Sequence, residues 1–509
     1  MKYKLNPILI FICVAFAVTG YLRLNDASLY TDSTRYVIWG TSFAHGHGFI
    51  DDTQPDPERY VVNAPLYSVV LAPALLFFPN SLAAAKIWTL MIGVCALVLF
   101  FVWLKRRFGP TQAVIGTLIL ACNPLMIVMA TEAMSEMCFL ALTFLTMIIL
   151  EDFETEEKLL SRNSVYLLII LSFLPLLREV SIALVGAVII VLLRKKQYRH
   201  AIWFAVGTAV VAAAWIIRNV YIVGVPPTSQ DTNVSFILGH FVTPANSPIV
   251  RELIQRIIAN IQGFYGFTVS LLMYPFPQSL IVDPHQFFRI LYRSLSTAKY
   301  ILPFALLPFV VTGILGDLRR SYKGYVALLF CVFYALIIVV YPVQDIRFLL
   351  PLLPFGIYYV LSSIGNVSQL KVLRNRTTAI VAGSAAVMLL TVPNLVCDLE
   401  LVRTNWEYKH SPDELFNAMK RSGVTKEMFV RPWQPFGNWI TGHLPDSTVI
   451  ASTFKELSLF VGDRKILEIN YGVPLPMFER FLRDYGVAYV LSARKDEPTV
   501  PYQFNMEES

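Results

Sequence analysis

Charge is what this chain has least of. Only 15% of its 509 residues are Asp, Glu, Lys or Arg, against 56% hydrophobic, and the mean hydropathy is +0.57. A water-soluble protein of this size needs more polar surface than that, so the composition places the chain in a bilayer. Cysteine is scarce and unpatterned. Its six copies, Cys13, Cys95, Cys122, Cys138, Cys331 and Cys397, are scattered, all but the last within apolar runs. Without a CxxC spacing they form neither a disulfide framework nor a metal-binding pattern. The net charge of +7 raises nucleic acid as a partner, but no continuous basic face with interleaved aromatics exists, so none is expected. The positive residues instead form short clusters between apolar runs, which is a membrane-topology signal. No convincing small-residue cleavage site closes the first apolar run, residues 7–22, and many further runs follow. That run therefore reads as a transmembrane helix rather than a signal peptide.

What is present predicts a mainly α, polytopic bundle. Apolar runs at residues 7–22, 81–103, 111–130, 133–150, 164–177, 180–193, 200–219, 300–314, 325–340, 348–363 and 378–396 give about eleven spans. Residues 65–78 are apolar but too short to cross and are closed by Pro79, which predicts an interfacial helix. Lys2 and Lys4, Lys105 to Arg107, Arg194 to Lys196, the Arg319, Arg320 and Lys323 group, and Lys371, Arg374 and Arg376 all fall on one face. By the positive-inside rule that face is cytoplasmic, and an odd span count puts the carboxyl terminus outside. The expected layout is a membrane domain at 1–396 with external loops at 24–80 and 221–299, then a small extracytoplasmic α/β domain at 397–509. The second loop carries one or two interfacial helices. In the last domain, Ser411 and Glu414 form a capping box for a helix ending near Gly423. Strands are expected at 447–452, 466–470 and 487–492, with an amphipathic helix at 474–485.

The reactive side chains concentrate in residues 24–67, which hold Asp26, Asp32, Arg35, His45, His47, Asp51 and Asp52. A carboxylate beside a bilayer serves as general base, metal ligand or loop solubiliser, and spacing alone does not choose among them. Further ionisable groups sit at helix ends. Glu132 and Glu136 are one turn apart, Arg178 adjoins Glu179, and Arg218 and Arg347 are each positioned to pair with Glu132, Glu136 or Asp345. His45 and His47 are too few for a metal site and lie among turn glycines.

The order Asp32-Ser33-Thr34-Arg35-Tyr36, Gly46-His47-Gly48-Phe49, then Asn63-Ala64-Pro65-Leu66-Tyr67 resembles the first external loop of GT-C membrane glycosyltransferases. The closest branch contains protein mannosyltransferases and the aminoarabinose transferase of lipid A. Trp215-Ile216-Ile217-Arg218-Asn219 with Gly224, Pro226 and Ser229, and Arg347-Phe348-Leu349-Leu350-Pro351 with Pro354, are similar to later motifs of that branch in the same order. The resemblance implies an inverting enzyme that takes a sugar from a polyprenyl-phosphate carrier and passes it to a lipid, glycan or protein acceptor. The expected setting is the outer face of a bacterial plasma membrane. It implies Asp32 as catalytic base, Arg35, Arg218 and Arg347 as carrier-phosphate ligands, and Tyr36, Asn63, Tyr67, Glu132, Glu136 and Arg178 as pocket residues. Two departures stand out: Ser33 replaces a second carboxylate, and Asn63 and Ala64 replace a lysine and a proline. They put in doubt the divalent metal that relatives can carry. The alternatives are a transporter or lipid-handling protein without chemistry, and an inactive GT-C homologue. No internal repeat supports a transporter, and the ionisable groups gather at helix ends rather than at the midplane.

Overall fold

The computed structural model describes residues 6–24, 31–59, 61, 64–153, 159–222, 249–272, 304, 306–319, 323–367, 391–392, 394–395, 398–399, 402–403, 433–452, 455–468, 480, 482–493 and 504–508. Asn63, most of the 221–299 loop, most of the run at 378–396 and the helix expected from Ser411 to Gly423 lie outside the described residues.

The described chain is mainly helical. It opens with α1 (Pro7–Arg23), α2 (Thr31–Ala44), the two-residue strands β1 (Ile50–Asp51) and β2 (Glu58–Arg59), and α3 (Leu66–Phe77). α4 (Leu82–Phe108), α5 (Pro110–Ala121), α6 (Pro124–Ala130) and α7 (Glu136–Phe153) follow, then α8 (Arg162–Leu177), α9 (Ile182–Arg194) and α10 (Tyr198–Ile217). Later helices run over Ile249–Leu272, Lys323–Val340 and Leu353–Val367, the last preceded by a 3-10 turn at Ile346–Leu352.

The ends of these helices follow from local chemistry. The Ser81 hydroxyl caps α4 by accepting from the Ala84 amide at 3.2 Å, and Lys105, Arg106 and Arg107 in its last turn face the negative end of the dipole. Gly109, at φ +93°, then turns the chain into α5. The two ends of α4 carry separate charge layers. Lys86 lies in one, while Arg106 pairs with Asp152 at 2.8 Å and Arg107 with Glu151 at 2.5 Å in the other. Along the helix Lys86 and Arg106 are about 30 Å apart, the thickness of a hydrocarbon core.

Among the described residues, three helices are long and apolar enough to cross a membrane: Leu82–Phe108, Tyr198–Tyr221 and Ile346–Ser363. A fourth crossing counts if α5 and α6, bent by 69°, make one broken span. The expected count of about eleven is therefore not confirmed among the described residues. The difference has local causes. At Asn123-Pro124 the proline cannot continue a helix, and the Asn123 carboxamide caps α6 by accepting from Leu125 N at 3.1 Å, so the run at 111–130 is cut in two. Near Arg178 the chain is extended, with ψ 127°, which leaves α8 and α9 at 16 and 13 residues.

α2 packs lengthwise on α3, and Val37, Ile38 and Trp39 bury its inner face. At Gly40 the two helices come close, and an added Cβ would meet Leu75 Cδ1 at 2.6 Å and the Ser68 carbonyl oxygen at 3.0 Å. Gly40→Val is expected to force the helices apart at a cost of about 1–3 kcal/mol, read as a lower thermal midpoint of the detergent-solubilised protein.

The carboxyl-terminal segment contains a four-stranded sheet in the order β4-β3-β5-β6, with β3 (Val449–Ser452), β4 (Lys465–Glu468), β5 (Tyr489–Ala493) and β6 (Phe504–Glu508). β3 is parallel to both β4 and β5, and β6 is antiparallel to β5. The three expected strands are present with shifted ends. β6 and a helix at Trp433–His443 were not legible in the pattern. Of the helix expected at 474–485, residues 480 and 482–484 are described and helical. The sheet meets the 24–80 segment directly: Ile466 N donates to Thr53 O at 2.9 Å, and Lys465 Nζ to Asp52 O at 2.6 Å.

Candidate active site

Asp32 stands in the first turn of α2, where a carboxylate suits the positive end of the helix dipole. Its side chain keeps 34% of its exposure, so a solute can reach it. Opposite lies Arg347, whose Nη2 is 3.3 Å from Asp32 Oδ2. Arg347 is held from behind by Asp345. That residue accepts from Arg347 N at 2.9 Å as the cap of the 3-10 turn, and its other oxygen lies 3.0 Å from Arg347 Nε. Arg347 is thus clamped by one acid and offered to another.

Beneath this pair is a layer of buried charge. Arg178 Nη1 is 2.5 Å from Glu136 Oε1 and also donates to Ser135 Oγ at 3.4 Å. The extended backbone at Arg178 turns its guanidinium to the head of α7. Glu132 and Lys86 make a second pair at 3.3 Å, each side chain 1% exposed. So Glu132 and Glu136 do not act as one acidic face: the turn between α6 and α7 hands each to its own cation. The Arg347 charge feels Glu136, Asp345 and Asp32, opposed by Arg178, which ties the layers together electrostatically.

Tyr36 and Tyr67 close the floor. Their rings meet edge to face at 5.0 Å, and the Tyr67 hydroxyl shares a 2.6 Å hydrogen bond with Thr89 Oγ1. Burial first, and then the neighbouring Asp32 carboxylate, push the Tyr36 phenol well above its usual range, so it stays neutral.

Arg35 is one turn along α2 from Asp32 on the same side of the helix, and its Nη2 lies 3.9 Å from Glu468 Oε1 at the end of β4. Arg218 is placed elsewhere. It donates to Asn219 Oδ1 at 2.8 Å and Phe49 O at 3.4 Å, and its guanidinium lies 4.7 Å from the Trp215 ring. Phe49 stacks on Phe43 in the last turn of α2, about 16 Å along the helix from Asp32. Its helix delivers Arg218 to the other end of α2, apart from Asp32, Arg35 and Arg347.

Sequence reading missed Lys86, Lys455 and Glu468. Lys86 had a signal, as a lone lysine inside an apolar run is seldom idle. Lys455 of the sheet domain is 3% exposed and pairs with Asp51, whose carboxylate also accepts from Thr53 N at 3.1 Å and Thr53 Oγ1 at 2.7 Å. Burial pushes the Asp51 carboxyl up, but the Lys455 charge and these hydrogen bonds outweigh it and hold the group below the ordinary carboxylate range. A depressed folded value means the contact contributes fully above the ordinary carboxylate range and is lost as pH falls through that lowered value. Lys455→Met leaves Asp51 buried without its cation. It is expected to cost about 3–5 kcal/mol, read as a lower thermal midpoint and faster proteolysis between residues 49 and 59.

Among the described residues no three His, Cys, Asp or Glu side chains come together to hold a metal ion. Asp32 and Asp51 are engaged by cations, and His47 Nδ1 lies 3.6 Å from Asp52 Oδ2 as a pair rather than a ligand set.

No protein-family model and no curated protein sequence matches the chain. Solved structures do. ArnT from Cupriavidus metallidurans bound to undecaprenyl phosphate superposes over 95% of this chain and 93% of its own, with a TM-score of 0.56 and 14% identity. The chain has the GT-C fold. A second structure on this fold is the archaeal oligosaccharyltransferase AglB from Archaeoglobus fulgidus, in complex with an inhibitory peptide and a dolichol-phosphate. It is similar over 95% of this chain and 69% of its own, with a TM-score of 0.52 and 12% identity. The Archaeoglobus fulgidus oligosaccharyltransferase in complex with zinc and sulfate aligns at a TM-score of 0.51, 14% identity, over 95% of this chain and 68% of its own. At these identities the GT-C likeness concerns the path of the backbone.

Proposed function

We propose that the protein is an inverting glycosyltransferase that moves a sugar from a polyprenyl-phosphate carrier to an acceptor hydroxyl or amine at the extracytoplasmic membrane face. The observation that carries this reading is the Asp32–Arg347 pair: a solvent-reachable carboxylate 3.3 Å from an arginine already clamped by Asp345. A transfer of this kind needs a base for the acceptor and a cation for the leaving phosphate, within one sugar's width of each other.

In the proposed step the acceptor oxygen or nitrogen attacks the anomeric carbon from the face opposite the phosphate and gives its proton to Asp32. The bond from the anomeric carbon to the phosphate oxygen breaks, and the electron pair stays on that oxygen. Arg347 and Arg35 stabilise the charge that grows there, each guanidinium presenting a planar fork to phosphate oxygens. The pairs Glu136–Arg178 and Lys86–Glu132 are fixed beneath and hold the reacting groups in register. Arg347 turns its Nη2 from Asp32 to the phosphate when donor arrives, which releases Asp32 for the acceptor.

The structures of archaeal AglB and of ArnT on the same fold hold a dolichol-phosphate and undecaprenyl phosphate, respectively, and this supports a prenyl carrier as donor. A prenyl tail also accounts for the location, since each buried methylene adds about 0.8 kcal/mol to membrane retention. The test is incubation of the full-length protein in bilayer nanodiscs with a panel of radiolabelled polyprenyl-phosphate sugars and a membrane extract as acceptor. Label moving to a new product, with free polyprenyl phosphate formed in equal amount, supports the reading. Passage of a solute across liposomes with no sugar released from any carrier rejects it in favour of a transporter.

A further inference from the structure

Glu468 ends β4 and faces two cations at once. Its Oε1 lies 3.9 Å from Arg35 Nη2 and its Oε2 lies 3.8 Å from Lys455 Nζ. Lys455 is buried and already neutralised by Asp51. Arg35 and Glu468 keep 29% and 27% of their side-chain exposure, and their separation is longer than a hydrogen bond. The carboxylate therefore holds Arg35 loosely, from a strand that is itself tied to the Asp32 segment through Ile466 N and Thr53 O.

We infer that Glu468 is a positioning residue that competes with the carrier phosphate for Arg35 and so drives out the spent carrier. This rests on the function proposed above. The donor is a phosphodiester with one negative charge. When its bond to the sugar breaks, the electron pair remains on the phosphate, and the product is a monoester carrying between one and two negative charges at neutral pH. The spent carrier thus grips Arg35 and Arg347 harder than the fresh donor did, and it must leave before another donor can bind. A carboxylate kept in place by Lys455 can take Arg35 back without any large movement. A neutral side chain there would leave the product in undivided possession of the arginine.

The experiment uses the full chain as wild type, Glu468→Gln and Glu468→Asp, with undecaprenyl phosphate as probe and undecaprenol as its uncharged control. Glu468→Gln is expected to bind undecaprenyl phosphate roughly three- to fivefold tighter, the range for a partly exposed ion pair. Its donor KM and kcat should fall together while product inhibition strengthens, undecaprenol binding should not change, and Glu468→Asp should stay close to wild type. A merely structural Glu468 would lower the thermal midpoint without tightening the phosphate. If Glu468→Gln binds undecaprenyl phosphate equally or more weakly while wild type still transfers sugar, the inference is overturned and the proposed function stands. If wild type itself does not prefer undecaprenyl phosphate over undecaprenol, both are overturned.

Discussion

Asp32→Asn lowers sugar transfer by about 10²–10⁴-fold, the range for loss of a positioned general base. The amide matches the carboxylate in shape and can still accept a hydrogen bond from Arg347, so the arrangement around α2 is retained. What it cannot do is take a proton from an attacking acceptor. The loss should fall on kcat, with donor KM nearly unchanged, because the missing interaction forms only in the transition state. Single-turnover transfer from labelled donor separates this from slow product release. A rise in donor KM or a fall in protein yield, with kcat retained, would point to a structural part for Asp32 instead.

Arg347→Met is expected to cost about 10²–10³-fold in kcat and to raise donor KM as well. The arginine sits among Asp32, Asp345 and Glu136, so its removal leaves three acids around the place where the phosphate must lie. Arg347→Lys should recover little. A lysine offers one point of charge, and it cannot hold Asp345 through one edge while presenting another to Asp32 or phosphate. Asp345→Asn, which keeps the cap acceptor but loses the ion pair, should show the milder form of the same defect: a raised donor KM with kcat reduced less. Recovery of full activity by the lysine variant would mean that Arg347 supplies only charge and no geometry.

The pairing of Asp32 with Arg347 was the hardest feature to read beforehand, because the two are 315 positions apart and meet only when tertiary packing brings the 3-10 turn at Ile346–Leu352 to the head of α2. Both residues were legible as candidates, each at a polar end of an apolar run. Their partnership depended on tertiary packing. Arg35 shows a related case. Its place one turn from Asp32 depends on α2, which forms within a stretch that reads as an external loop, and its contact with Glu468 comes from the docked sheet, which no local pattern reports. The helical character of the chain was plain from hydropathy, but span boundaries were not: an averaged run at 111–130 hides the Asn123-Pro124 break, although that dipeptide is a turn signal in its own right. Lys86 was equally open to view inside its apolar run, and a reading that gave intramembrane charge its due weight would have joined it to Glu132.

The most direct measurement is a cryo-electron microscopy structure of the full chain in nanodiscs with undecaprenyl phosphate. The phosphate should lie in salt-bridge contact with both Arg347 and Arg35, with the Asp32 carboxylate turned toward the same cavity and no longer held by Arg347. A head group bound at the opposite charge layer around Arg106 and Arg107, or one that leaves the Asp32–Arg347 contact undisturbed, would contradict the account.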